Sequence, residues 1–481
     1  MMSSSSRNNW CRKTIKSLTI LFLGGLLLSA VGCGGGTNSG GGGGGPLTTA
    51  TQVRMGDAPA DRVIVFEVTV GPISLTPSTG AAVTVLSGTR RVELTHMSGT
   101  NEPLALLKVP QGSYTGGTIT VANPEIVFID NRDTTVKLEP PFNQAVTVSF
   151  NPALTVGANA AVVNIDLNVA NALTFDALGN VTGVNISSSS FTFSSATVAA
   201  NENEQEPEDG ELEDTTGTVA SVSGTSFTLN VATTGTQLTF TTDSNTKFDD
   251  GATLATMTTG TVVTVEGITK SDGTLYAKEV EGVENENGSE LDGLISQVTR
   301  GFATTLTFVA DDGSGNGMDD AKVGSTFNVD VTTAQFKVST GNIDTSGIGG
   351  LPAPPDFPFE VSTVHAGQRV EVESVSSMSV TPMPAEKVKL LQQTVSGTVS
   401  GLSGTARTTF TLTVPADSAF AMLSGFTTVT IFWQTGTDVS NLPHAPANGD
   451  AVRVRGLLFF TPNNSSSGIP AFNLIARRIT R

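Results

Sequence analysis

Three short signatures recur in one order along the second half of the chain, and nothing else in it restricts the fold so tightly. An opening strand reads Gly217-Thr218-Val219-Ala220-Ser221-Val222, then Gly293-Leu294-Ile295-Ser296-Gln297-Val298, then Gly397-Thr398-Val399-Ser400-Gly401-Leu402. A later strand reads Gly260-Thr261-Val262-Val263-Thr264-Val265, Gly367-Gln368-Arg369-Val370-Glu371-Val372 and Gly449-Asp450-Ala451-Val452-Arg453-Val454. A closing strand reads Ala277-Lys278-Glu279-Val280, Ala385-Glu386-Lys387-Val388 and Ala476-Arg477-Arg478-Ile479. Signatures that keep their order through three copies mark three copies of one supersecondary unit.

The physics of that unit can be read from its letters. In Val370-Glu371-Val372-Glu373 and Val452-Arg453-Val454-Arg455, valines alternate with charges. That period of two predicts a half-buried strand with its charges turned outward. The glycine ahead of each such strand supplies a turn or bulge where φ can be positive. The alanine of the closing strand is small enough for a place where strands crowd. About five strands closed on themselves hide their edges and make a small barrel. These units resemble the tandem OB-like domains of unknown function found in exported bacterial proteins. The resemblance runs from Thr215 to Arg481, with insertions such as GLPAPPDFPF at Gly350 to Phe359.

At 481 residues the chain is too long for one core, so several domains are expected. Charged residues are only 15%, long helical periodicities are missing, and stretches such as VIVFEVTV, GTITV, AVTVSF and VVTVEG dominate. This predicts an all-β chain. The first half, Thr48 to about Ala200, reads as a sandwich of roughly seven to nine strands. Gly56-Asp57-Ala58-Pro59 precedes an apolar strand, Val63 to Val70, and Val109-Pro110-Gln111-Gly112-Ser113-Tyr114 is a turn feeding Gly117 to Val121. Val163 to Leu167 leads into Asn171-Ala172-Leu173, and a later strand is Phe191-Thr192-Phe193. Together these segments resemble an uncharacterised N-terminal domain of bacterial surface lipoproteins. The resemblance implies a prealbumin- or immunoglobulin-like fold and brings no activity with it.

Between the halves lies Asn201 to Asp214, NENEQEPEDGELED, with eight carboxylates and no cation. Such a run buries too little apolar surface to offset its ordering entropy, so a solvated linker is expected. Its alternative, a divalent-cation sponge, has nothing to fix ligand geometry. The expected fold class is thus all-β, a sandwich at 48–200, the linker at 201–214, and OB-like barrels at 215–284, 285–392 and 393–481.

The amino end has the layout of a secretory leader. Arg7, Arg12, Lys13 and Lys16 precede an apolar run, Leu18 to Leu28, and then the small residues Ser29, Ala30 and Gly32. The run is shorter than the roughly 20 residues a spanning helix needs and is interrupted by Gly24-Gly25. Ala30-Val31-Gly32-Cys33 resembles the bacterial lipobox, which implies a leader at 1–32 and a lipid-modified Cys33 at the head of the mature chain. The chain has two cysteines and Cys11 lies in the leader, so Cys33 has no disulfide partner. Buried acyl carbons contribute about 0.8 kcal/mol per CH₂, so two or three chains anchor a protein firmly. Residues 33–47 are glycine-rich and are expected as a flexible tether with an r.m.s. reach on the order of 20 Å. Gly34 stands where an aspartate would hold a Gram-negative lipoprotein at the inner membrane. The expected address is therefore the outer membrane or cell surface.

Formal charge is −18, and removing the four leader cations takes it to −22. Such a balance repels phosphate backbones and anionic headgroups, which argues against nucleic acid as a partner. The partners expected are the bilayer, through acylated Cys33, and a protein or glycan ligand.

Chemistry-bearing motifs are sparse. His96, His365 and His444 are the only histidines, spread over three proposed domains, and read as surface or turn residues. No G-x-S-x-G elbow or H-E-x-x-H helix is present. The loop Asp311 to Asp320, DDGSGNGMDD, spaces oxygens as a calcium loop begins, with Asp312, Asn316 and Asp320 as candidate Ca²⁺ ligands. Its twelfth position is Val323 where a bidentate Glu is wanted, and the alternative is an acidic hairpin tip between Thr305–Val309 and Thr326–Val331. Trp433, the one tryptophan outside the leader, is a candidate sugar platform, the alternative being a packed strand residue. Phe227, Phe308 and Phe410 alternate with polar residues as core positions.

The function expected is a lipid-anchored envelope protein with a non-catalytic role in adhesion, scaffolding or ligand display. The rivals are a periplasmic or surface hydrolase acting on glycans, and a calcium-stabilised surface stalk.

Overall fold

Alternation in the first half resolves into twelve strands and two facing sheets. The computed structural model describes residues 46–58, 62–95, 101–132, 134–198, 210–232, 234–249, 251–282, 289–315, 323–339, 343, 356–374, 376, 379–402, 409–434, 436–439, 442–462 and 469–481. The strands of the first half are β1 (Thr48–Ala58), β2 (Val63–Pro77), β3 (Val83–Leu86), β4 (Arg90–Glu93), β5 (Glu102–Pro110) and β6 (Gly112–Ile129). They continue with β7 (Thr135–Leu138), β8 (Asn143–Val156), β9 (Ala161–Asn168), β10 (Leu173–Phe175), β11 (Val181–Val184) and β12 (Phe191–Thr197). One sheet runs β12-β9-β1-β5, with β1 parallel to β9. The other runs β3-β2-β6-β7, with β4 also on β2 and β8 also on β6. Phe66, Val68, Ile73, Ile119 and Ile126 of one sheet bury against Val53, Met55, Val163, Ile165 and Leu167 of the other. The Val109–Tyr114 turn fastens itself: the Tyr114 hydroxyl donates to the Pro110 carbonyl at 2.7 Å while its ring is buried.

The second half forms three barrel-like sheets in one connectivity. The first contains β13 (Glu211–Ser223), β14 (Ser226–Val231), β15 (Gln237–Thr241), the short β16 (Lys247–Asp249), β17 (Val262–Thr269) and β18 (Leu275–Gly282). The second contains β19 (Ser289–Arg300), β20 (Thr304–Gly315), β21 (Thr326–Asp330), the short β22 (Gln335–Val338), β23 (Arg369–Ser374), β24 (Met383–Pro384) and β25 (Lys387–Leu390). The third contains β26 (Gln392–Ser400), β27 (Thr409–Thr413), β28 (Thr428–Phe432), β29 (Ala451–Thr461) and β30 (Ala471–Thr480). The third closes as β26-β27-β28-β30-β29, with β28 parallel to β30. In the other two, β15 pairs parallel with β18 and β21 parallel with β24, the same closure, with β24 and β25 dividing the last strand between them. A meander of three strands, a parallel closure and an antiparallel return is an OB-like ring.

The repeated small residues do what their spacing implies. Gly260, Gly367 and Gly449 sit at φ of 101°, 89° and 93°, a region that favours glycine, immediately before the fourth strand of each barrel. Gly217, Gly293 and Gly397 of the opening strand serve a different end. A Cβ at any of them would collide with a neighbouring-strand carbonyl, that of Asn230, Val309 or Thr413 respectively. Ala277, Ala385 and Ala476 are buried, as are Phe227, Phe308 and Phe410.

Two expectations need correction. The acidic run does not stay a linker to Asp214: β13 begins at Glu211, and Glu211 and Glu213 have almost no exposed side chain. Residues 201–209 lie outside the described residues. Likewise β23 is not half-buried; all of Arg369 to Ser374 is buried, charges included. In both places cations from other strands compensate the acids: Arg478 of barrel three for Glu211 and Glu213, and the barrel's own Lys387 and Lys389 for Glu373 and Glu371.

The sandwich and barrels share further cover. Ile64, Val65, Val127 and Ile129 of the sandwich pack with Val309 and Val323 of barrel two and Ala419 of barrel three, at the start of the one-and-a-half-turn helix α1 (Ala419–Ser424). Thr236 of barrel one donates to the Leu104 carbonyl of the sandwich at 2.9 Å. No helix among the described residues is long and apolar enough to cross a membrane.

Candidate functional site

Strand register places the charges of barrel two in two rows across three strands. One row is Asp292, Glu371 and Lys389; the next is Glu290, Glu373 and Lys387. Directly opposed side chains on one face lie close enough to interact strongly. Lys387 Nζ donates to Glu373 Oε1 at 2.5 Å, and Lys389 Nζ lies 3.9 Å from Glu371 Oε2. Lys389 is also hydrogen-bonded to Glu281, at the end of β18 in barrel one. Arg369 closes the cluster: it donates to both oxygens of Asp311 at 3.0 Å and to Asp292 at 3.3 Å.

Carboxylates outnumber cations here. Glu281, Glu290, Asp292, Asp311, Glu371 and Glu373 share the cations Arg369, Lys387 and Lys389. Burial, with the nearby Glu371, Asp292 and Glu373, pushes the Glu290 carboxyl well above the usual range, against a smaller opposing pull from Lys389. Burial also raises Glu371 to about 8, opposed by Lys389 and assisted by Asp292 and Glu373. Lys389 moves the other way from what its own desolvation favours, because Glu371 and Glu281 raise it. The carboxylates of Glu290, Asp292 and Glu371 lie within 4.8 Å of one another, so these three residues could hold a metal ion.

Barrel three carries arginines in the matching place. Its rows read Ser396, Arg453, Thr480 and Thr394, Arg455, Arg478. Their counter-charges come from barrel one: Arg478 reaches Glu211 at 3.1 Å and Glu213 at 3.2 Å, with Arg477 and Arg455 at 3.4 and 3.5 Å from the same two acids. Asp438 takes the Arg478 Nε at 2.8 Å. Fully buried Arg54 of the sandwich donates to the Glu211 carbonyl, tying a third module to the junction. Burial and the adjacent Glu213 push the Glu211 carboxyl up to about 7. At Glu213 desolvation is outweighed, and Arg478, Arg455 and Arg477 hold the carboxyl below its ordinary value.

Sequence-predicted site residues fall as follows. Cys33, Asn316, Asp320 and His96 lie outside the described residues, as does the side chain of Asp312, whose backbone sits in β20 opposite Asp292. Val323, at the twelfth loop position, is buried against the sandwich. Trp433 is half-buried and packed on the core of barrel three, the packed alternative to a sugar platform. His444 is exposed and shares a 3.0 Å contact with Arg481. His365 is half-buried beside the Ala366-Gly367 turn: its ring packs 4.0 Å from that of Phe460, edge-on to Phe426 and Phe472, and burial lowers its pKa.

The sequence reading missed the carboxylate cluster. The signal was present in Lys387-Val388-Lys389, whose two lysines alternate in step with Glu371 and Glu373 and are their cross-strand partners. It also missed a cleft of about 580 Å³ between β8 and β12. Each strand lies at the edge of its sheet, and Phe150, Phe191 and Phe193 floor the cleft, with the rings of Phe150 and Phe193 5.0 Å apart.

A family model described as a domain of unknown function, DUF5666, matches residues 216–281, which span most of barrel one. No curated protein matches the chain.

Proposed function

We propose that this chain is a lipid-anchored protein of the bacterial outer membrane or cell surface, with a non-catalytic structural and ligand-presenting role. The observation that carries the reading is the order of basic leader, apolar run, Ala30-Val31-Gly32-Cys33 and glycine tether. The folded part supports the structural half of the proposal. Buried charged side chains join its modules, Glu211 and Glu213 to Arg478 and Lys389 to Glu281, which is what a body that holds its shape requires. The likeness of the modules to uncharacterised surface-lipoprotein and tandem OB-like domains points the same way.

The test of the anchor is metabolic labelling with a palmitate analogue in wild type and Cys33→Ser, followed by membrane fractionation. Label and membrane association in wild type, both lost in the variant, are expected; label in both refutes the anchor.

The ligand half rests on the β8–β12 cleft, whose two open strand edges and phenylalanine floor suit an extended peptide or glycan. Ser194, exposed on β12, lines it. Ser194→Trp should abolish binding on a glycan or peptide array while leaving lipid labelling intact. Turnover of glycosidase or esterase substrates, lost on changing one acidic residue, would replace this reading with a hydrolase.

A further inference from the structure

We infer that Glu290, Asp292 and Glu371 on the outer face of barrel two form a divalent-cation site, with calcium the ion they suit best. Their carboxylate oxygens lie within 4.8 Å of one another. Opposed oxygens around an ion that binds at about 2.4 Å stand about that far apart. The donors are hard oxygens with no imidazole or thiolate among them, a set that favours Ca²⁺, Mg²⁺ or Mn²⁺ over zinc or copper. A second observation sets this cluster apart from an ordinary acidic patch. Glu290 is only 7% exposed, and its Oε2 has no hydrogen-bond partner among the described residues. A buried carboxylate oxygen without a donor is costly, and a cation relieves that cost. The cations already present are shared: Arg369 grips Asp311 through both oxygens and reaches Asp292 only at 3.3 Å, and Lys389, bonded to Glu281, lies 3.9 Å from Glu371, so neither supplies a donor to the Glu290 Oε2.

This site is independent of the lipid anchor, and none of its three ligands belongs to the DDGSGNGMDD segment. In the full chain, stripped with chelator and titrated with CaCl₂ at pH 7.5, equilibrium dialysis should find an equivalent of calcium that Glu290→Gln removes. Millimolar calcium should raise Tm by a few degrees in wild type, and Glu290→Gln should erase the rise. Asp320→Asn, in the DDGSGNGMDD segment, should keep both the bound equivalent and the rise. Neutral Gln removes the charge repulsion, so Glu290→Gln should fold with an unchanged circular dichroism spectrum; if it does not, Glu371→Gln serves as the second variant. No calcium bound to wild type, or calcium and a Tm rise retained in the folded Gln variants, overturns the inference. So does loss of both in Asp320→Asn alone.

Discussion

Barrels two and three share a ring of strands, and they differ in how they neutralise the same outer face. Barrel two carries acids on β19 and β23 and answers them from its own closing strand, Lys387 to Glu373 and Lys389 to Glu371. Barrel three carries Arg455 and Arg478 in the matching rows and takes its counter-charges from Glu211 and Glu213 at the start of barrel one. One face is largely satisfied within its module and the other, apart from Asp438 on Arg478, by a distant segment. An equivalent position in a repeat can therefore be a local brace in one copy and an interface in the next. Charge alone decides which, since the backbone pairing is the same.

The comparison is broken most directly at Arg478. Glu211, Glu213 and Asp438 all lean on this guanidinium, so Arg478→Met leaves buried acids short of a cation. Urea unfolding should show a loss of about 3–5 kcal/mol, the cost of removing one partner from a buried ionic group. Lys387→Met disturbs one pair within one module and should cost less. Equal losses in the two variants would erase the distinction between borrowed and internal neutralisation.

Acidity sharpens it next. Burial raises Glu211 to about 7, and burial raises Glu67 of the sandwich to about 7 against the pull of Arg91. Between about pH 4.5 and 7 the folded chain holds protons that the unfolded chain has released. Stability from these groups is therefore full below about 4.5 and lost as pH rises through about 7. Denaturation midpoints should fall over that window, each group contributing on the order of 3 kcal/mol. Glu211→Gln should remove part of the slope; an unchanged slope would place its origin outside the barrel one–barrel three junction.

What the barrels have in common is tested at Gly293. A Cβ there meets the Val309 carbonyl, as at Gly217 and Gly397 in their own barrels. Gly293→Ala should cost about 1–3 kcal/mol by overpacking, measured by thermal unfolding, and the other two positions should behave alike. The smallest effect is expected from removing a whole pair. Glu373→Met with Lys387→Met takes both charges from a buried contact, and stability should stay within about 1 kcal/mol of wild type or rise.

How far the sequence foretold this molecule depends on which face of a strand is asked about. Inward faces were legible: Val370, Val372, Val454 and Phe308 are fully buried, Phe410 nearly so, and the glycine before each fourth strand has the positive φ its position implied. Alternation encodes one buried side and is silent about what covers the other. Glu371 and Glu213 therefore read as solvated, since their partners lie on other strands or, for Glu213, in Arg478 more than 260 residues away. The strand number of the sandwich was underestimated because β3, β4, β7, β10 and β11 are only three or four residues long, too short to show a period. His365 carried no local sign of its aromatic surroundings, because Phe426, Phe460 and Phe472 come from three separate segments.

The arginines of β30 have a consequence for how the chain is made. The ribosome writes Glu211 long before Arg478, which lies 267 positions further along the chain. Until β30 arrives, the third ring stays open along β28 and β29, and a pair of acids on the first barrel waits for two of its arginines, Arg477 and Arg478. A product truncated before β30 would thus miss a fastening at two places at once, a defect that quality-control proteases can recognise in a molecule otherwise folded.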